Sequence, residues 1–232
     1  MNTKLYSGII CSLILIGGCS AEADVKLETN KDKASYIIGV QIGTQMAQTK
    51  EDIDLDKMML GLKEAFAGKE PRMKKEEMMA AMQEFQTAMQ QKQQAKMTEM
   101  AGKNAKEGEA FLAENKKKDG VITLPSGLQY KVVTAGKGAS PKASDTVVTH
   151  YRGSLIDGKV FDSSYERGEP VTFPVNGVIP GWTEALQKMK VGDKWQLFIP
   201  AGLAYGENGS GPIGPNSVLI FDIELLEIKA SS

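Results

Sequence analysis

Apolar residues recur every three or four positions through the first half of the chain and tend to alternate through the last, with the change of period near Gly120. Tyr36, Ile37, Val40 and Ile42, then Leu55, Met58, Met59, Leu62 and Phe66, predict two short one-sided helices separated by the acidic stretch at 51–54. After Gly68 and Pro71 a third helix opens and, with no proline before Pro125, runs to about Asn115. At about 1.5 Å per residue such a helix is on the order of 65 Å long. Its first half carries Met78, Met82, Phe85 and Met89 in a seam spaced four, three, four. Its second half, to Lys118, is rich in Gln, Lys and Glu with scattered Met97, Met100, Phe111 and Leu112. A helix this polar all round is expected to bridge between domains rather than sit in a core.

Beyond Gly120 the expected strands are 128–133, 146–155, 159–162, 171–175, 194–199 and 218–228, and Asp157-Gly158 reads as a two-residue hairpin turn. A single helix, 182–189, is too short to form a layer of its own. The arrangement that buries it is an antiparallel sheet wrapped around one helix, an α+β domain over 119–232. Upstream lie a helical region at 19–71 and a connecting helix at 72–118.

Methionine usage refines the helical half, because ten of the twelve methionines fall between Met46 and Met100. Methionine adapts to irregular and intermolecular surfaces. The three apolar stripes are either a small intrachain core or a core shared by two copies; stripes this extensive on helices this short favour the shared core, hence a homodimer. With a net charge of -1 and a pI near 6.0, the chain has no basic excess to neutralise a phosphate backbone. Nucleic acid is excluded as a partner on that ground.

The first residues are a separate segment. Lys4 precedes an apolar run at 5–16, the pattern of a secretory signal and too short for a membrane span. The sequence LIGGCS that ends it resembles the bacterial lipobox. That resemblance implies a signal peptide at 1–18, cleavage before Cys19, acylation of Cys19 and attachment to a membrane through a lipid anchor. Cleavage after the AEA at 21–23 is the alternative, and would leave the chain unanchored. Both cysteines, Cys11 and Cys19, lie in this segment, so the exported body has neither disulfide nor thiol.

No nucleophile motif, phosphate loop or metal-ligand spacing occurs. The single histidine, His150, lies in an expected strand with no cysteine nearby, and reads as an ordinary strand residue. The residues therefore call for no metal and no cofactor. What stands out is aromatic: Tyr151, Phe161, Phe173, Trp182, Tyr205 and Phe221 all fall at strand ends, turns or loop edges. Taken alone they would be core.

Four blocks alter that reading: VTHYRGSLIDGKVFDSS, VIPGWTEALQKMKVGDKW, IPAGLAYGENGSGPIGPNS and LIFDIELLEI. In order and spacing they resemble the FKBP-type peptidyl-prolyl isomerase domain over residues 121–229, and the helices, junction and signal upstream resemble its Mip-like exported, homodimeric bacterial branch. The resemblance implies a pocket floored by Trp182 and walled by Tyr151, Phe161, Val178, Ile179, Tyr205 and Phe221. Asp162 and Arg167 would form a polar pair beside it, Phe173 an inner aromatic, and Ile213 the apolar residue of the 207–216 loop. The Ile179 N–H and the Tyr205 hydroxyl would bind carbonyls. Substrates would be proline-containing polypeptides, inhibitors of the rapamycin and tacrolimus type, and the location the bacterial envelope, as an outer-membrane lipoprotein or in the periplasm. Val171 departs from the family, which often has an aromatic there. Asp162 is expected to be a buried carboxylate, either a structural acceptor for Tyr151 or Arg167 or a direct electrostatic participant. A module that binds proline segments without turning them over is the rival reading.

Overall fold

Residues 25–229 are described by a computed structural model; the signal segment and Cys19 lie outside the described residues. By their internal contacts these residues form two compact units, divided between Lys75 and Glu76.

In the first unit, α1 (Asn30–Met46) opens with a capping box: Asp32 N–H donates to Thr29 Oγ1 at 3.1 Å and Thr29 N–H to Asp32 Oδ2 at 2.9 Å. Asp54 caps α2 (Leu55–Phe66) by accepting from Lys57 N–H at 3.1 Å. In α2 the residues Leu55, Met58, Met59, Leu62 and Phe66 form one stripe, as expected. In α1 they do not: at about 100° per residue, Ile38 and Ile42 fall opposite Tyr36 and Val40. The first helix is apolar around most of its girth, because its apolar residues stand at adjacent as well as helical spacings. Neither helix buries a single residue, and Phe66 is 95% exposed.

The second unit begins with α3 (Lys75–Asn115), 41 residues and about 60 Å long. Its polar second half is not simply a bridge, because its last turns pack on the sheet. Phe111 meets Phe198 with ring centroids 6.0 Å apart. Asn115, fully buried, donates through Nδ2 to Gln129 Oε1 at 2.9 Å, and Gln129 Nε2 donates to Leu112 O at 2.9 Å. Leu112 O thus accepts twice, from that side-chain amide and from Lys116 N–H at 3.1 Å, which ties the helix end to β2.

The sheet is antiparallel in all its pairings. Its strands are β1 (Val121–Thr123), β2 (Gln129–Thr134), β3 (Thr146–Leu155), β4 (Val160–Ser163), β5 (Val171–Pro174), β6 (Lys194–Ile199) and β7 (Leu219–Lys229). They run in the order β1-β2-β6-β7-β3-β4, with β5 also on β3. The three-residue β1 is too short to show alternation and escapes a pattern reading. Inside the closing pair Leu155–Lys159, the β3–β4 connection has three loop residues, 156–158, rather than two. Gly158 N–H bonds Leu155 O at 3.0 Å and Leu155 N–H bonds Lys159 O at 2.9 Å, with Gly158 at φ +86°. This is a turn closed by a glycine bulge, which matches the twist of the strands. One turn of helix, α4 (Ser164–Arg167), follows β4.

The sheet curls around α5 (Pro180–Leu186). Leu186 and the following Met189 are fully buried with Leu128, Val147, Leu197, Ile199, Leu219 and Leu225. The helix starts two residues earlier than its apolar pattern suggests, because Pro180 supplies the helical φ at its first position. It stops before 189: beyond it, Asp193, itself buried, accepts from the N–H groups of Lys190 at 2.6 Å and Gly136 at 2.5 Å.

Candidate functional site

The spacing within α5 explains why a tryptophan stands in its first turn. Trp182, Ala185 and Leu186, at i, i+3 and i+4, form the buried face, so the indole is the end of that face nearest the helix start. Gly181 lets α5 approach the sheet: a Cβ there would lie 2.5 Å from Cγ2 of Ile199. Trp182 Nε1 is buried without an acceptor among the described residues, so the ring is held by its neighbours alone. Those neighbours are aromatic and edge-on: Phe221 at 5.1 Å and 80°, Tyr151 at 5.2 Å and 84°, Phe173 at 5.7 Å and 84° between centroids and planes. Such crossings are the preferred geometry of ring pairs.

Above this floor lies a cleft of about 640 Å³. Tyr151, Phe161, Asp162, Phe173 and Phe221 line it from the sheet, Val178 and Ile179 from the start of α5, and Tyr205 and Ile213 from the loops beyond β6. The structure therefore places ten of the residues singled out in the sequence on one cavity. Arg167 does not line it, but reaches the lining residues Asp162 and Tyr151 from α4. Tyr205, 41% exposed, stands at the mouth, whereas Ile213 is buried. Val171 lies outside the lining, packed against the core. His150 points to the other side of β3, where it stacks on Tyr165 at 4.7 Å and its Nδ1 lies 2.9 Å from Ser164 Oγ.

Asp162 is not a buried carboxylate; its side chain is 41% exposed, because β4 is an edge strand. Tyr151 donates its hydroxyl proton to Asp162 Oδ2 at 2.5 Å, Arg167 Nη2 donates to the Tyr151 oxygen at 2.8 Å, and Arg167 Nη1 donates to Asp162 Oδ1. The one-turn α4, capped by Ser163 and closed by Gly168 at φ +78°, folds Arg167 back over this pair. Partial burial pushes the Asp162 carboxyl up, but the hydrogen bonds from Tyr151 and Arg167 outweigh it and hold it below the usual carboxylate value. Burial, together with the bond to Asp162, pushes the Tyr151 phenol up. At neutral pH the group is therefore a carboxylate, a neutral phenol and a guanidinium.

The depressed carboxyl gives a sign to the pH dependence. Its stabilising contribution is complete above its unfolded value, about 3.9, and is lost as pH falls through the lower folded one. The part of the melting temperature and of ligand affinity that depends on Asp162 should hold steady from about pH 6 to 8 and decline only in acid, below about pH 4. In Asp162→Asn the part of the acid loss that belongs to this residue should be missing, which a melting series across pH would read.

Sequence reasoning passed over Gly153, Gly177, Ser210, Gly211 and Pro212. All but Gly153 line the cleft directly. Gly153 makes room for it: a Cβ there would lie 2.6 Å from the Phe161 ring and 2.7 Å from that of Phe221, rings that cross at 5.5 Å and 83°. A glycine inside a long strand is the signal that could have found it. Gly153→Ala should displace both rings and cost roughly 1–3 kcal/mol in stability. Calorimetric melting, with a weaker affinity for a cleft ligand, would register it.

Comparison with known proteins bears on this cleft. Residues 31–132 match the family described as the domain amino terminal to FKBP-type peptidyl-prolyl isomerase, and residues 137–226 match FKBP-type peptidyl-prolyl cis-trans isomerase itself. The chain is 43% identical over its whole length to the outer membrane protein MIP of Legionella longbeachae, all of which is covered. It is 47% identical to the peptidyl-prolyl cis-trans isomerase Mip of Coxiella burnetii, over 94% of this chain and 95% of that one. Among solved structures, FkpA from Escherichia coli is similar with a TM-score of 0.70 and 42% identity, over 89% of this chain and 100% of that one.

Proposed function

Since the chain belongs to the FKBP-type peptidyl-prolyl cis-trans isomerases and catalyses rotation about Xaa-Pro bonds, we propose that the cleft over Trp182 is where a proline ring is held while its bond turns. The observation that carries this reading is a floor and walls made of crossed aromatic rings, with Asp162 the single charged residue in the lining.

Rotation about the C–N bond meets a barrier of roughly 18–20 kcal/mol because twisting breaks conjugation. Before proline both isomers are populated and exchange over tens to hundreds of seconds. At the twisted geometry the carbonyl loses charge and the nitrogen regains a lone pair. The amide is then less polar than when planar, and an apolar wall favours it selectively. No bond breaks, so no nucleophile is required.

The residues divide the work accordingly. Trp182 seats the ring, and Tyr151, Phe173 and Phe221 close around it. Ile179, at the N-cap of α5, presents an N–H ahead of the bonded turns to one substrate carbonyl. Tyr205 offers its hydroxyl to another from the mouth. Such contacts fix which side of the bond turns. Asp162 and Arg167 act by holding the Tyr151 ring in the wall, a role supported by the closed three-way bonding of these side chains.

The finer biology completes the proposal. Cleavage before Cys19 leaves an acylated amino end, so the protein works in the bacterial envelope on exported, proline-containing chains. Two copies join through the exposed apolar faces of α1 and α2, which find no cover among the described residues. Mass spectrometry of the isolated protein should show lipid on Cys19; an unmodified chain beginning at Asp24 would sink the anchor.

Exchange spectroscopy on short Xaa-Pro peptides, with and without rapamycin, tests the central proposal. Acceleration of exchange that rapamycin abolishes is expected. Rapamycin binding without acceleration would instead make the cleft a holding site.

A further inference from the structure

We infer that the inner face of α3 sets the position of the cleft's outer rim, with Asn104 and Asn216 as the positioning residues that hold it. This rests on the isomerase reading of the cleft.

The rim is the segment from Tyr205 to Val218, which brings Ile213 to the cleft. Its backbone has little structure of its own. Gly206, Gly209 and Gly211 all take positive φ, and the internal ties are Asn216 N–H to Gly206 O at 2.8 Å, Ser217 Oγ to Gly214 O at 2.8 Å and a short Ser210–Ile213 bridge. A glycine-rich segment of this kind has many alternative conformations, so something outside it must select one.

The long helix supplies that selection. Asn104 Nδ2 donates to Pro215 O at 2.8 Å and also lies 3.4 Å from Ser217 Oγ. From the other side, Asn216 Nδ2 donates to Ala101 O at 3.4 Å. Between them Gly214 sits against the helix so closely that a Cβ would lie 2.9 Å from Met100 Sδ. One turn further along, a Cβ on Gly108 would lie 2.7 Å from Val218 Cγ2. Met100, Ala101, Asn104 and Gly108 follow helical spacing, so one narrow stripe of α3 contacts the rim over its last five residues.

Asn216 also carries the single non-glycine positive φ among the described residues, +54°. Such a conformation persists where its surroundings over-determine it. Here the over-determination is its backbone bond to Gly206 inside the rim and its side-chain bond to the helix outside it.

The consequence for the reaction is one of fit. Ile213 lines the cleft together with Trp182, and its distance from that floor is set by where Pro215 and Asn216 are pinned. Loosening the pins should widen the ensemble of rims and weaken ground-state binding, while the floor and walls that favour the twisted amide stay in place. KM and inhibitor Kd should therefore rise with little change in kcat.

Two substitutions in the full chain test this. Asn104→Asp keeps the shape of the side chain but turns its donor into an acceptor facing Pro215 O. Asn216→Gly removes the bond to Ala101 and relieves the positive φ, so it should not lower the melting temperature. For each, KM for a short Xaa-Pro peptide and the rapamycin Kd should rise roughly two- to tenfold, the equivalent of about one hydrogen bond. Asn216→Gly is decisive because a merely structural role predicts no loss of affinity in a protein that melts normally. Unchanged KM and Kd in Asn216→Gly overturn the inference, as does a rise seen in Asn104→Asp alone and in step with lost stability. Turnover by the unaltered chain tests the isomerase reading separately, and the ratio of variant to unaltered Kd tests the rim whether or not turnover is seen.

Discussion

Trp182→Ala should abolish rapamycin binding at concentrations that saturate the unaltered protein and lower kcat/KM by well over tenfold. The indole is 4% exposed and is the one ring that touches Tyr151, Phe173 and Phe221 together, so its removal takes the common partner from all three crossings. A buried Trp or Phe truncated to Ala typically costs about 3–5 kcal/mol in stability, because the hole collapses only in part. The domain should therefore melt earlier as well, and that loss has to be separated from the loss of function. Trp182→Phe serves this purpose: it keeps an aromatic floor of smaller area, so the fold should survive while affinity still falls. Calorimetry for melting, titration calorimetry for rapamycin and exchange spectroscopy for turnover together read the result. If Trp182→Phe retains full affinity and rate, the floor is not what seats the ring. Tyr205→Phe sets the scale for comparison, since a lone hydrogen bond from the mouth is worth about 0.5–1.5 kcal/mol.

In light scattering, a chain spanning residues 24–232 should run as a dimer, and Leu62→Asp with Phe66→Asp should convert it to a monomer. Four of the five residues of the α2 stripe are exposed, Leu55, Met59, Leu62 at 53% and Phe66 at 95%. Burying one such side chain is worth roughly 1.5–3 kcal/mol, and a twofold interface loses each contact twice. Two charged residues in the stripe should thus raise the dissociation constant by several orders of magnitude. Helix content should change little, as Asp54 still caps α2. Turnover of short peptides should be unaltered too, because the cleft is built within the other unit. A parent chain that stays monomeric at every accessible concentration would falsify the shared core.

Much of the cleft was legible before any coordinates, and particular residues show why. Trp182, Tyr151 and Tyr205 stand inside blocks whose order is specific, so they could be placed by resemblance. The α2 stripe and the reach of α3 to Asn115 follow from helical spacing and the absence of proline, both local properties of the chain. Where local rules compete, the reading slipped. Adjacent apolar residues made α1 look one-sided when they encircle it. The Asp157-Gly158 turn signal could not distinguish a two-residue connection from three with a bulge. Asp162 looked buried because sequence cannot say that β4 lies at an edge.

The chain's own pattern determined α1, α2, α3 and α5, the strands from β2 to β7, the aromatic inventory and the lack of a nucleophile motif. These depend on interactions within a few residues, or on composition. Only the tertiary structure decided what meets at a distance. Gly153 matters because β3 lies between β4 and β7, which brings the rings of Phe161 and Phe221 over it. Asn104 matters because the last turns of α3 lie against a loop 111 residues further on. Such contacts arise from strand order and helix docking, where many weak packing terms select one arrangement together. No short window of the sequence contains both partners, so nothing local could announce them.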